Sequence, residues 1–113
     1  MKPTIVYICS PYAGDIDHNV SRARGYCRLA VTEGCIPLAP HLLFPQFLDD
    51  DDPEQRKQGR YFALVLLGFV DELWVFGDRI SEGMALEIKM AEKRGIPIRR
   101  FNERCEVEMP NES

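Results

Sequence analysis

Several functional classes are excluded by what the sequence does not contain. It has no apolar stretch near the ~20 residues a membrane span needs; Phe62 to Val70 is among the longest, and Gly68 interrupts it. It has no CxxC pair: Cys9, Cys27, Cys35 and Cys105 stand apart, and His18 and His41 complete no zinc spacing with them. It has no basic excess either. Fourteen Lys and Arg against eighteen Asp and Glu leave a net charge of −4, which argues against sequence-independent binding to a nucleic-acid backbone. Residues 1–10 carry no basic n-region and no small-residue cleavage site, so the start reads as mature protein. The expectation is a cytoplasmic chain whose cysteines are reduced and mostly buried.

What is present fits a single domain. With 113 residues, 45% hydrophobic and 28% charged, the chain can bury roughly two-thirds of its unfolded surface without staples. No repeat or low-complexity stretch interrupts residues 1–101, so the domain is expected over 1–101 with an acidic tail over 102–113 that frays. Thr4 to Cys9 is rich in β-branched residues and stops at Ser10-Pro11, the pattern of a buried strand. From about Asn19, apolar Val20, Ala23, Cys27, Ala30 and Val31 recur at helical spacing up to Gly34. Cys35 to Ala39 reads as a second strand, and His41 to Asp52 as a loop with apolar Leu42, Leu43, Phe44, Phe47 and Leu48.

Asp52-Pro53-Glu54-Gln55 then has the parts of a helix start, with a carboxylate cap, Pro in the first turn and Gln at the capping-box position. The helix is expected to reach about Phe69. That reading also accounts for the end of the acidic run Asp49–Asp52, so no metal site is assigned to it. Glu72 to Phe76 reads as a third strand, with Trp74 as core or interface. Ser81 caps a helix that Gly95 ends, and a fourth strand begins at Ile96.

This order is β-α-β-α-β-α-β with short connections. It implies a parallel sheet of four or five strands, in the order 2-1-3-4, with helices on both faces: a three-layer α/β fold. Strands 1 and 3 then lie side by side at the point where strand order reverses, and a ligand binds beyond their carboxyl ends. The loops meeting there are Ser10–Asp15 and Gly77–Gly83.

Those loops carry the candidate site. Ser81 and Gly83 leave backbone N–H groups open at a helix start, and the missing side chain at Gly83 permits close approach. Glu87 lies four residues beyond Gly83 on the same face, at the edge of the stripe formed with Met84, Ile88 and Ala91. A carboxylate there is partly desolvated, which suits a nucleophile or general base and equally an ion pair with a basic residue. Ser10 and Gly14 are candidates to shape the pocket wall, Tyr12 to stack on a ring, and Asp15 to accept from a hydroxyl or start the next helix. His41 follows strand 2 at the same edge. Tyr7, between Val6 and Ile8, reads by itself as core.

Four segments in order, Val6–Asp15, Asp71–Gly77, Ser81-x-Gly83-x-x-x-Glu87 and Gly95–Ile98, resemble the nucleoside 2-deoxyribosyltransferase-like superfamily. That superfamily includes the deoxynucleoside 5′-monophosphate N-glycosidases, and the likeness extends to its short bacterial and phage members. The resemblance implies a flavodoxin-like (Rossmann-like) fold and a double displacement at an anomeric carbon. Glu87 falls on the family's nucleophile, Tyr7 on the tyrosine that orients it, and Ser81 on the serine that holds a 5′-phosphate in the N-glycosidases. No cofactor is implied, and the partner is a small nucleoside or nucleotide. The apolar stretches Leu42–Leu48 and Phe62–Phe69 offer more surface than four strands cover, so a homo-oligomer is expected, by default a symmetric dimer, and the family often completes its pockets across subunits. The sequence departs from the family at Ala63, eight residues before Asp71, where an Asp often protonates the leaving base. It departs again at Tyr12-Ala13-Gly14-Asp15, where the N-glycosidases carry Arg-Gly-Gly-Arg, and Arg22 and Arg79 are the candidates to take that place. The rivals to an enzyme are a non-catalytic nucleotide-binding module of the same fold and a structural partner that uses the apolar loop.

Overall fold

Four short apolar runs become strands of one sheet in the computed structural model, which describes residues 2–108. They are β1 (Ile5–Cys9), β2 (Ile36–Leu38), β3 (Glu72–Phe76) and β4 (Ile98–Phe101), all parallel and ordered β2-β1-β3-β4. The helices between them are α1 (Ile16–Thr32), α2 (Pro40–Leu43), α3 (Pro53–Leu67) and α4 (Glu82–Arg94). This is the expected three-layer arrangement.

The sheet is buried on both faces, which is why its strands read as nearly continuous apolar runs. Alternation sends Tyr7, Cys9, Leu73 and Val75 toward α3 and α4, where they pack with Ala63, Leu67, Met84, Ile88 and Ala91. It sends Val6, Ile8, Trp74 and Phe76 to the other face, against Tyr26 and Ala30 of α1. Trp74 is core, with its indole N–H donating to Glu72 at 2.8 Å and Arg99 over its ring. The β1–β3 pairing is reinforced at its start, where the Ile5 N–H donates to the Asp71 carboxylate at 2.8 Å. Arg94 ties α4 to α3 by donating to the Leu64 carbonyl at 3.0 Å.

The caps match the residues that suggested them. Asp52 accepts from the Glu54 N–H, Ser81 from the Met84 N–H, and Gly95 ends α4 in the left-handed conformation with φ of 71°. Other boundaries differ. α1 begins at Ile16 rather than Asn19 because the Asp15 side chain caps it, and α3 stops at Leu67 because Gly68 closes it. The strands β2 and β4 cover Ile36–Leu38 and Ile98–Phe101, narrower or later than their apolar runs. The expected loop after β2 contains α2 and a 3-10 turn over Phe44–Gln46, each with Pro in its first turn, where a missing N–H costs nothing.

Two further expectations are corrected. Of the four cysteines only Cys9 is buried; Cys27, Cys35 and Cys105 are half-buried, and all four are free thiols. Residues 102–108, expected to belong to the tail, form a turn against β4. The Asn102 side chain accepts from the Arg104 and Glu106 N–H groups, and this turn reverses the chain. Val107 then pairs antiparallel with Phe101, and the Glu108 N–H donates to the Arg100 carbonyl at 2.8 Å, covering the open edge of β4. Residues 109–113 of the expected tail lie outside the described residues. No helix among the described residues is long and apolar enough to cross a membrane.

Candidate active site

Side-chain alternation in β1 aims Tyr7 at α4, and helical periodicity places Glu87 on the α4 face that meets it. The Tyr7 O–H donates to Glu87 Oε2 across this boundary. The second oxygen, Oε1, is buried and has no hydrogen-bond partner among the described residues. Burial raises the Glu87 pKa to about 6, while its contacts with Tyr7 and Cys9 pull the other way. Burial, then the neighbouring Glu87 charge, pushes the Tyr7 hydroxyl far above the usual phenol range, so it stays a donor. The same two causes raise the Cys9 thiol, which points at the Met84 carbonyl from 4.0 Å. Glu87 is therefore a desolvated carboxylate with one oxygen held and one free, rather than half of a surface ion pair.

Glu87 lines a cavity of about 250 Å³ at the carboxyl end of β1 and β3. Of the residues singled out from sequence, Tyr12, His41, Ser81 and Gly83 line it as well. The Tyr12 ring stacks on His41 with centroids 5.2 Å apart, and burial lowers the His41 pKa, favouring neutral imidazole. Ser81 Oγ accepts from the Met84 N–H at 3.2 Å and so serves as the α4 cap. A Cβ built at Gly83 meets nothing within 4 Å, so packing within the chain does not demand glycine there.

Other candidates stand apart from the cavity lining. Ser10 is buried at the end of β1, Gly14 forms a turn with φ of 98°, and the Asp15 carboxylate accepts from the His18 N–H at 3.2 Å. Tyr7 reaches the cavity only through Glu87. Arg22 faces Glu103 at 3.7 Å, and neither it nor Arg79 lines the cavity. Ala63 does line it, presenting an apolar wall from α3.

Sequence reasoning missed the rest of the α3 wall. Arg56 and Arg60 border the cavity, as do Gln55, Asp50 and Glu82. The signal was available: Arg56, Arg60 and Ala63 are spaced i, i+4, i+7 and share a face, so placing Ala63 at the site places both arginines along the same wall. Among the described residues no group of three His, Cys, Asp or Glu side chains is arranged to hold a metal ion.

Comparison with known proteins agrees with this architecture. The family model described as Domain of unknown function (DUF7768) matches residues 4–101. No curated protein matches the chain. Among solved structures, the 2-deoxyribosyltransferase of the psychrotolerant bacterium Bacillus psychrosaccharolyticus is similar with a TM-score of 0.70 at 20% identity, over 96% of this chain and 77% of that one. The 2-deoxyribosyltransferase of Leishmania mexicana is similar with a TM-score of 0.65 at 17% identity, over 95% of this chain and 79% of that one. The fold is thus nucleoside 2-deoxyribosyltransferase-like.

Proposed function

The chain belongs to the DUF7768 family, and for it we propose cleavage or exchange of an N-glycosidic bond in a nucleoside or nucleotide, with Glu87 as nucleophile. The observation that carries this reading is the state of Glu87: a buried carboxylate at a cavity wall, with Oε2 held by Tyr7 and Oε1 unpartnered. An unsatisfied buried carboxylate oxygen is costly in a folded chain, and such cost is tolerated where the group acts on a ligand. The fold shared with two 2-deoxyribosyltransferases adds support.

The proposed chemistry is a double displacement. Oε1 attacks the anomeric carbon from one face of the sugar while the C–N bond breaks on the other. The bond's electron pair passes to the base nitrogen, which takes a proton from water or from a carboxyl group at the rim, where Asp50 and Glu82 stand. Water or a second base then attacks the anomeric carbon of the glycosyl-enzyme and frees the Glu87 carboxylate. The oxocarbenium-like transition state between these stages is stabilised by the anion beside it. Tyr12, His41, Ser81 and Gly83 surround the substrate, and Tyr7 positions the nucleophile. Incubating the chain with nucleosides and their 5′-monophosphates tests the reading, with mass spectrometry detecting free base; no base released from any of them refutes it.

Two consequences are measurable. Only ionised Glu87 attacks, so kcat/KM rises with pH through about 6 and then levels. Tyr7→Phe removes a donor that favours the ionised form. The limb therefore moves to higher pH and the plateau drops ~10-fold or more, the worth of a hydrogen bond to a charged group. An unmoved limb would refute the positioning role of Tyr7. The reading also includes a second copy of the chain: Tyr61, Phe62, Val65 and Phe69 on and just after α3 are exposed, and a symmetric dimer covers them. Sedimentation at micromolar concentration is expected to give twice the 13.0 kDa chain mass, and a monomer excludes this part.

One observation favours the rival, a binding module without turnover. Ala63 leaves the α3 wall without a carboxylic acid beside the leaving base. Binding to both wild type and Glu87→Ala with no base released is the result that supports it.

A further inference from the structure

Three cations stand together in the N-terminal half of helix α3. Arg56, Lys57 and Arg60 lie four, five and eight residues beyond the Asp52 cap. Arg56 and Arg60 are in addition like charges at i, i+4, a spacing that costs tenths of a kcal/mol. Among the described residues none of the three has a carboxylate within 4.0 Å, although Asp50, Asp51 and Glu82 border the same groove. No fold-stabilising ion pair accounts for the cluster.

Its position relative to Glu87 is defined by the helices. Arg56 and Arg60 line the cavity that holds Glu87, and with Lys57 they also line the groove continuing from it. Ala63 marks the buried part of the α3 wall. At 1.5 Å per residue, Arg60 stands about 4.5 Å and Arg56 about 10 Å further along the axis. Helical side chains lean toward the N-terminus, so both guanidinium groups lean away from Ala63 and toward the rim. The cavity is thus graded, with an unpartnered buried carboxylate oxygen at its inner end and two free guanidinium groups toward its mouth. The Ser81 end of α4 borders the same space.

We infer that Arg56 and Arg60 make the site selective for a phosphorylated nucleoside, a nucleoside 5′-phosphate, over the neutral nucleoside. The planar guanidinium matches phosphate oxygens with paired N–H donors, which a neutral hydroxyl cannot replace. The three rim carboxylates balance the three cations, so selectivity comes from these direct bonds and not from net charge. The inference rests on the reading of Glu87 only for which end of the ligand lies deep.

Calorimetric binding to Glu87→Gln tests it, since that substitution blocks the proposed turnover. The ligands are the common ribo- and deoxyribonucleosides and their 5′-monophosphates, with Arg56→Gln and Arg60→Gln added singly and together. At least one monophosphate is expected to bind ~10-fold or more tightly than its nucleoside, since a charge-assisted hydrogen bond is worth about a factor of ten. The double arginine substitution is expected to erase that preference and leave nucleoside affinity within about twofold. Equal affinity for the two ligand classes, equal loss of both in the arginine variants, or no binding at all overturns the inference. Turnover by wild type without phosphate preference refutes this inference and retains the glycosidic reading. Phosphate-selective binding with no wild-type turnover does the reverse.

Discussion

Glu87→Gln abolishes release of free base, lowering turnover by on the order of 10⁴ or more, about 5 kcal/mol of barrier. The amide is nearly isosteric and its carbonyl oxygen can still accept from Tyr7, so the substitution removes the nucleophile and its charge while keeping the packing. Both stages of the displacement need the carboxylate: the first forms the ester to the sugar, and the second expels it. Base release measured by mass spectrometry checks this, with circular dichroism confirming the fold. A variant that retains a tenth of wild-type turnover would exclude Glu87 as nucleophile.

The same substitution stabilises the protein at neutral pH. Burial raises the Glu87 pKa to about 6 from an ordinary 4.5. Below 4.5 the group is protonated in both folded and unfolded chains and contributes no ionisation penalty. Between 4.5 and about 6 the unfolded chain ionises first, and above that the folded chain must hold a buried anion, at a full cost of about 2 kcal/mol. Glutamine is neutral at every pH. Glu87→Gln is therefore expected to be about 2 kcal/mol more stable than wild type at pH 7 and nearly equal to it at pH 4. Denaturant unfolding at the two pH values measures the difference. A destabilised variant at pH 7 would mean that the carboxylate belongs to the structure and not to a reaction. Gain of stability with loss of turnover is the mark of a residue kept for chemistry.

Much of this was legible along the chain. β1 and β3 read as strands because a sheet covered on both faces needs an apolar residue at nearly every position. α4 was bounded by its own punctuation, the Ser81 cap and the left-handed Gly95. Periodicity places Glu87 at the edge of the buried stripe, and the structure puts it inside with Met84, Ile88 and Ala91. Less visible was the segment after β2, where α2 and the following 3-10 turn are too short to show a period of their own. The turn at Asn102 was obscured by the acidic residues around it, because its hydrogen bonds depend on Asn102 accepting from two later N–H groups.

The sequence by itself determined the layers, the strand order and the helix that carries Glu87, because periodicity, caps and right-handed crossovers act locally or follow from chain direction. Only the tertiary structure decided which residues share the cavity. Tyr7 reads as core in its strand and becomes the partner of Glu87, 80 residues away, because β1 and α4 are brought face to face. Ser10, Gly14 and Asp15 occupy the expected loop, yet strand burial, a turn and a helix cap engage them. Arg56 and Arg60 share the α3 face of Ala63 by spacing, but which neighbour that face meets is set by the packing of α3 beside α4. Contacts between distant segments are set by how whole elements pack, and that is information no local pattern contains.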